Sequence, residues 1–227
     1  MKKILRSQKL HLCVFLVLLT GWANSLRAQT NPAGQDLPFS FTAISASTLP
    51  DGIAVHSFGN SSAGTTGAVP LTRTLAPAIL DLAYSTNTTN SGGWLGSDNG
   101  IAMLASNAQK AGAVVVAINT TGKSNIKVEW TARAIYLQDS RDNSLALQYR
   151  LGTDGNFTDL GDASHVFTTT GKSAGDNSSF SLTLPAALEN QSLVQLRWVY
   201  LESAGTSGSR DRIALDDVTI AEDVPEF

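Results

Sequence analysis

The strongest constraint in this sequence is a period-two alternation of apolar and polar residues that recurs in short runs along most of the chain. Clear examples cover residues 126–134, 145–151 and 194–200, where every second residue is aliphatic or aromatic. Successive side chains of a β-strand point to opposite faces, so each run predicts a strand with one buried face. Short strands separated by Gly, Pro, Asn, Asp and Ser predict an all-β, antiparallel sandwich or barrel.

Two other patterns predict where the core lies. Residues 113–118 are continuously apolar, which is typical of a strand that is buried on both faces. Trp130 and Trp198 fall in phase with the aliphatic residues of their runs, so we expect both side chains in the core.

The N-terminal residues have the pattern of a secretory signal peptide. Four basic residues among the first nine precede an apolar run at 10–19, and small or polar residues follow at 21–28. We predict a signal peptide over residues 1–28, cleaved after Ala28, with cleavage after Ala23 as the alternative. A membrane anchor is disfavoured because a spanning helix needs about 20 apolar residues. No membrane span is therefore expected after cleavage.

The remainder is predicted as one domain. A disordered N-terminal segment is expected at 29–36, a β-sandwich at 37–220 and a short acidic tail at 221–227. With an exported leader, the expected location is secreted, extracellular or at the cell surface, with the periplasm as an alternative.

Charge and cysteine content exclude several functions. Five of the 16 Lys and Arg residues lie in residues 1–28, so 11 remain against 19 Asp and Glu, a net charge of −8. Nucleic acid binding depends on clustered basic residues, and none are clustered here. The single cysteine, Cys13, lies in the leader, which excludes a disulfide scaffold and a multi-thiolate metal site.

Four motifs occur in an order that resembles a known family. They are Leu-Pro-Asp-Gly at 49–52, Asn-Thr-Thr-Gly at 119–122, Gln-Tyr-Arg at 148–150 and Ile-Ala-Leu-Asp-Asp-Val at 213–218. Together they resemble a jelly-roll domain of secreted multidomain surface proteins of Bacteroidetes-type bacteria, and the last also resembles the final strand of concanavalin-like MAM domains. The resemblance implies a single antiparallel jelly-roll β-sandwich over most of 37–220, and no general catalytic activity.

No catalytic constellation is evident. Beyond the leader only His56 and His165 remain, and no zinc-protease, nucleophile-elbow or phosphate-loop motif is present. The many carboxylates single out no pair that could act as acid and base. We therefore expect no enzyme activity and no required cofactor, and a hydrolase is the weaker alternative.

Three aspartates near the C-terminus suggest a site for a cation. Asp216 and Asp217 are adjacent on a predicted strand, so one of them is expected to point inward, where a carboxylate needs a partner. A structural calcium ion held by Asp211, Asp216 and Asp217 is one interpretation. The favoured interpretation is a carboxylate bound by backbone N–H groups or by Arg210 or Arg212.

Polar residues on three strands suggest a ligand-binding face. If their strands are neighbours, Arg133, Arg150 and Arg197 form a ladder of guanidinium groups across one sheet. Such a ladder could bind the hydroxyl groups of a glycan, but an ordinary solvated face with ion pairs is the favoured interpretation.

Trp94 is the remaining candidate. It lies in the Gly- and Ser-rich segment 91–96, which predicts a loop, and an exposed loop tryptophan is suited to stacking on a sugar ring. The alternative is a tryptophan folded back over one end of the sandwich. We expect a non-catalytic binding or adhesion module with a carbohydrate ligand, and a structural or protein-docking domain of the cell envelope is the alternative.

Overall fold

The computed structural model describes residues 31–42, 49–57, 80–81, 84–85, 93–97, 100–105, 111–137, 141–205 and 210–224. The predicted leader lies outside these residues. The strands are β1 (Gln35–Asp36), β2 (Phe39–Phe41), β3 (Ile53–Ser57), β4 (Leu80–Asp81), β5 (Tyr84–Ser85), β6 (Gly93–Ser97), β7 (Gly100–Leu104), β8 (Gly112–Asn119), β9 (Ile126–Tyr136), β10 (Asn143–Leu151), β11 (Thr158–Asp159), β12 (Phe167–Thr168), β13 (Asn177–Thr183), β14 (Val194–Glu202) and β15 (Arg212–Glu222). Short 3-10 helices cover Ala163–His165 and Ala186–Leu188.

The strands form two sheets, and the predicted β-sandwich is confirmed. The first sheet has the order β11-β10-β14-β8-β3-β4, with β1 on β8 and β12 on β10. The second sheet has the order β13-β9-β15-β7-β6-β5, with β2 on β15. Pairing is antiparallel except between β1 and β8 and between β5 and β6. From β7 onward the chain passes repeatedly from one sheet to the other, which is the connectivity of a jelly roll.

The core lies between the sheets and is built from the apolar members of the alternating runs. On β9 and β14 every second side chain points into it, and Trp130 and Trp198 are both buried there as predicted. Their rings meet edge to face, with centroids 6.1 Å apart. This contact joins the centres of the two sheets, because β9 and β14 belong to different sheets.

The first sheet is also buried on its outer face. Every residue of 113–118 is almost fully inaccessible, which confirms the prediction that this strand is buried on both faces. On the outer side, Ala113 and Val115 of β8 pack with Val199 and Leu201 of β14 in a second apolar cluster. Among the described strands, exposed outer-facing side chains are concentrated in the second sheet on β13, β9 and the C-terminal part of β15, whereas Ala102 and Ala214 on the same face are buried.

The ends of the domain differ in detail from the predicted boundaries. Gln35 and Asp36, which the sequence placed in a disordered segment, pair in parallel with Ile118 and Asn119 of β8. Strand β15 continues beyond residue 220 to Glu222, whose carboxylate accepts from Lys123 Nζ at 2.8 Å. No helix in the part of the chain that the structure describes is long and apolar enough to span a bilayer.

A buried hydrogen bond joins the two sheets, and it yields a stability prediction. The Tyr200 hydroxyl of β14 donates to the Ile101 carbonyl oxygen of β7 at 2.7 Å. Tyr200→Phe should lower the free energy of unfolding by about 1–3 kcal/mol, because a buried carbonyl loses its donor. Urea denaturation should show a lower midpoint with an unchanged slope.

Tyr149→Phe is the matched control, because Tyr149 is only partly buried and loses the same hydroxyl. Equal destabilisation by both substitutions would show that the hydrogen bond to Ile101 adds nothing specific to the free energy of unfolding.

Candidate binding site

Trp94 does not lie in an exposed loop, and that prediction is wrong. It belongs to β6 in the second sheet, and its side chain is 0% exposed. The indole meets the Tyr200 ring edge to face, with centroids 5.2 Å apart and an interplanar angle of 81°. Trp94 therefore packs between the sheets and presents no face on which a sugar could stack.

Arg150 and Arg197 are neighbours, as the ladder hypothesis required, but they are not on a solvated face. In the register of β10 and β14, Gln148 opposes Arg197 and Arg150 opposes Gln195. The two arginines are only 3% and 0% exposed. A ligand in solution cannot reach these guanidinium groups without displacing the segment that covers them, so we assign them no binding role.

The cover is the segment between β10 and β11, whose Phe157 ring lies against both guanidinium groups. The guanidinium carbons of Arg197 and Arg150 are 3.8 and 4.5 Å from the ring centroid. Arg150 Nε donates to Gln195 Oε1 at 2.7 Å, and Arg197 Nε donates to Gln148 Oε1 at 2.8 Å. Burial, and after it the charge of Arg150, lowers the pKa of Arg197 to about 9. The contacts of the Phe157 ring with the two guanidinium groups hold the β10–β11 segment against the first sheet.

Arg133 does not belong to the same ladder. It lies on β9 in the second sheet, opposite Asn177 of β13 and Ala214 of β15. The predicted row of three arginines across one sheet is therefore wrong. Arg133 is half-buried on the outer face of that sheet, beside the buried Ala214.

A β-bulge changes the expected orientation of Asp216 and Asp217. Asp216 opposes Thr131 and Thr219 opposes Glu129, so β15 carries one extra residue between these pairs. Asp217 occupies the left-handed region with φ of 49°, a conformation that aspartate tolerates better than most residues. Asp216 is buried while Asp217 is exposed, which agrees with the expectation that one of the two carboxylates is buried, and the bulge interrupts the strict alternation of the strand at this point.

The three aspartates are not brought together as a calcium site. Asp211 precedes β15, and five residues of extended chain place it about 16 Å from Asp216. Asp211 is instead buried near Asn143, whose side-chain amide donates to the Asp211 carbonyl oxygen. Within the described ranges, no group of three or more His, Cys, Asp or Glu residues could hold a metal ion.

The bulge opens onto a shallow depression on the outer face of the second sheet. Its volume is about 300 Å³, and it spans β13, β9 and β15. The lining residues are Glu129, Trp130, Thr131, Ser179, Phe180, Ser181 and Asp217. Alternation along β9 and β13 directs the side chains of Glu129, Thr131, Ser179 and Ser181 to this face and the two aromatic rings to the core side.

Hydrogen bonds and ion pairs hold the polar groups of this depression in place. The Thr42 hydroxyl donates to Asp217 Oδ1 at 2.7 Å, and the hydroxyl oxygens of Thr131 and Ser179 are 3.4 Å apart. Lys127 Nζ lies 2.8 Å from Glu129 Oε1, and the Glu129 side chain remains 47% exposed. A hydrogen bond to Glu129 and the Glu129 charge raise the pKa of Lys127.

The floor of the depression is stiffened from the core side. The Phe180 ring stacks on Trp130 with centroids 5.0 Å apart and an interplanar angle of 17°. His165 lies on the same indole at 6.5 Å, and its Nδ1 is 2.9 Å from Asp162 Oδ1. Hydrogen bonds from Ser164 and His165 lower the pKa of Asp162 to about 2. His165 thus belongs to the capping box of the 3-10 helix Ala163–His165, and His56 is fully buried.

Sequence reasoning missed most of this site. Glu129, Thr131, Ser179 and Ser181 are not among the binding residues that the sequence predicts. The alternation of 177–183 does place its serines on one face, but nothing local shows that β13 pairs with β9 rather than with another strand.

Comparison with known proteins shows similarity to β-sandwich structures alone. No family model matches this sequence, and no curated protein matches it. Among solved structures, the xylan-binding module CBM15 has a TM-score of 0.42 at 11% identity, covering 83% of this chain and 98% of that chain. A cleaved adhesin domain of Lys-gingipain from Porphyromonas gingivalis has a TM-score of 0.42 at 12% identity, covering 81% and 98%.

A third similar structure is a xylanase. Xylanase 10C from Cellvibrio japonicus, in complex with xylopentaose, has a TM-score of 0.37 at 14% identity. The match covers 60% of this chain, which spans 26% of the xylanase. At these identities and TM-scores neither a ligand nor an activity transfers to this chain.

Proposed function

We propose that this protein is a non-catalytic, secreted or cell-surface binding module that binds carbohydrate in the depression on the outer face of its second sheet. One observation carries the proposal. The outer face of the first sheet is buried, whereas that of the second sheet exposes carboxylates and hydroxyls around a preformed depression. The jelly-roll resemblance and the predicted leader support a role outside the cell.

The chemistry of the depression suits a hydroxyl-rich ligand. The carboxylates of Glu129 and Asp217 are acceptors for sugar hydroxyls, and such charge-assisted hydrogen bonds are stronger than neutral ones. Ser179 and Ser181 can each donate and accept. A volume of about 300 Å³ is at the small end of ligand sites, which fits one or two sugar rings more closely than a long chain.

Recognition in this site would rely on hydrogen bonds more than on stacking. The rings of Trp130 and Phe180 lie on the core side of the floor, so no aromatic face is offered on the solvent side. We therefore expect weak binding, with dissociation constants of about 10 µM to 1 mM, corresponding to about −7 to −4 kcal/mol.

Asp217→Asn is the sharpest test of this site. Asparagine also tolerates the left-handed backbone conformation, so the bulge should be kept while the charge is lost. A charged hydrogen bond contributes about 1.5–3 kcal/mol, so glycan affinity should fall by roughly 10- to 150-fold. The measurement is a glycan array with and without calcium, followed by titration calorimetry on the best ligand.

Asp51→Asn is the matched control, because Asp51 is an exposed carboxylate in the turn just before β3 and does not line the depression. It should leave binding unchanged, and both variants should keep the parent melting temperature. Undiminished binding by Asp217→Asn would move the site elsewhere. If the parent protein binds no glycan, the carbohydrate proposal fails and the structural or protein-docking alternative takes its place.

A further inference from the structure

Among the described strands, β13 is an edge strand of the second sheet. It pairs with β9 on one side, and no described strand pairs with its other side. The backbone hydrogen bonds at its two ends show which residues direct their N–H and C=O groups towards β9. Leu184 N donates to Ile126 O, and Ala134 N donates to Asp176 O, so even-numbered residues form the hydrogen-bonded pairs. The odd-numbered residues, 177, 179, 181 and 183, therefore direct their backbone N–H and C=O groups away from the sheet.

This edge lacks the features that usually prevent strands from associating. Its seven residues, Asn-Ser-Ser-Phe-Ser-Leu-Thr, include no charge and no proline. Phe180 and Leu182 are only partly buried on the core side of the strand. Exposed edges without Lys, Glu, Pro or a bulge are templates for pairing with another strand.

We propose that β13 pairs antiparallel with β13 of a second copy of this chain, centred on Phe180. In this register Ser179 opposes Ser181 of the second copy, and Asn177 opposes Thr183. All four are outward-facing residues, so each free N–H and C=O finds its partner in the same strand of the other copy. An isologous two-fold contact requires such self-complementarity, and this strand has it.

The central pair adds an apolar contact. Phe180 opposes Phe180 of the second copy at a non-hydrogen-bonded position, where Cα atoms approach to about 4.5 Å. The two rings would meet on the core side, each already stacked on its own Trp130. Aromatic cross-strand pairs of this kind stabilise sheets. One seven-residue edge is smaller than the roughly 1,200–2,000 Å² of stable interfaces, so we infer a weak, concentration-dependent dimer.

Pairing in this way would also join the two binding depressions, an extension that rests on the proposed function. The two-fold axis stands perpendicular to the sheet, so the outer faces of both copies lie on the same side. Ser179 and Ser181 line the depression and also lie on the paired edge. A polymeric glycan could then contact two sites at once, which raises avidity without any new contact.

The test is sedimentation velocity of the purified protein from about 1 µM to 1 mM, the range in which weak complexes dissociate. We expect the parent to pass from monomer to dimer. In Ser179→Lys/Ser181→Lys, two like-charge pairs face each other, so the dimer dissociation constant should rise at least about tenfold. Ser179→Glu/Ser181→Glu should weaken the dimer in the same way. An equimolar mixture of the Lys and Glu variants should restore the dimer, because opposite charges then face each other.

Ser173→Lys/Ser192→Lys is the control, since it adds the same charges at exposed positions outside β13 and should dimerise like the parent. Should the paired Lys variant not fold, Ser181→Pro replaces it, because that N–H points away from β9 and proline is tolerated at such edges. A parent that stays monomeric to about 1 mM, or a dimer unaffected by these changes, overturns the proposal. Glycan titration of the parent protein separates this outcome from failure of the proposed function, because Ser179 and Ser181 also line the depression and a monomeric parent can still bind glycan.

Discussion

Trp94→Ala is expected to lower the free energy of unfolding by about 3–5 kcal/mol, the usual loss when a fully buried large aromatic side chain is removed. The indole is 0% exposed and packs on Tyr200 across the interface between the sheets. The cavity left by the substitution cannot close easily, because the strands on both sides of it are held by ladders of hydrogen bonds. For a domain of this size the melting temperature should fall by about 6–20 °C.

The room for Trp94 is made by Gly112 of β8. A Cβ atom at that position would lie 2.9 Å from Trp94 Cζ2 and 2.6 Å from the His56 carbonyl oxygen. Trp94→Phe should therefore lose less stability than Trp94→Ala, since an aromatic edge contact with Tyr200 can persist. Tyr136→Ala, which removes an exposed ring, should cost under about 1 kcal/mol despite its contact with Arg212.

Calorimetric or fluorescence-detected melting of the three variants provides the measurement. A melting temperature that Trp94→Ala leaves unchanged, together with lost glycan binding, would contradict the buried position and return Trp94 to the role that its local sequence suggests.

The misassignment of Trp94 shows what local sequence can and cannot reveal. Glycines and serines around position 94 indicate a loop when only neighbours in the chain are considered. In the folded domain, Gly93, Gly96 and Ser97 belong to strand β6, and Gly112 in the other sheet accommodates the indole. That fit depends on a contact between positions far apart in the chain, which no local pattern encodes.

Strand existence was predictable for the opposite reason. The alternation along β9, β10 and β14 is local, and each appears as a strand with its apolar parity facing the core. Assignment of strands to sheets is not local. Arg133 and Arg150 lie in equally regular alternating runs, yet one belongs to the second sheet and the other to the first.

The burial of Arg197 could have been inferred in part. The apolar run 113–118 predicted a strand covered on both faces, and β8 proves to be the neighbour of β14. Because β8 is covered on its outer face, the polar residues on the same face of the adjacent strand β14 are expected to be covered as well. Phe157 completes that cover, and its position in a turn-rich segment gave no sign that it folds back onto two arginines.

The largest electrostatic effect should come from Glu202, at the end of β14. Its side chain is 3% exposed, and Oε2 lies 2.7 Å from Arg210 Nε and 3.2 Å from Arg141 Nη1. Among the described residues, Glu202 is the one carboxylate in an ion pair with Arg210. This pairing holds the segments before β10 and before β15 against the end of β14, and the Ser203 N–H adds a bond to the Asp142 carbonyl at 2.8 Å.

Glu202→Gln keeps the size of the side chain but leaves two arginines near a neutral amide. Removing one partner of a buried ion pair costs about 3–5 kcal/mol, because the remaining charge loses its compensation in a poorly solvated place. We expect a lower midpoint in urea denaturation and earlier proteolysis near Ser203 and near Asp211, since the chain at these two positions loses its anchor.

Glu129→Gln is the matched control, because it makes the same chemical change in an ion pair that is exposed to solvent. Because water screens exposed ion pairs, they contribute little to the free energy of unfolding, so the urea midpoint of Glu129→Gln should equal that of the parent. Equal midpoints for Glu202→Gln and the parent would mean that water reaches the Glu202 carboxylate in solution. The end of the sandwich would then be held by hydrogen bonds such as those from Ser203 N to Asp142 O, from Asp211 N to Arg141 O and from the Asn143 amide to Asp211 O.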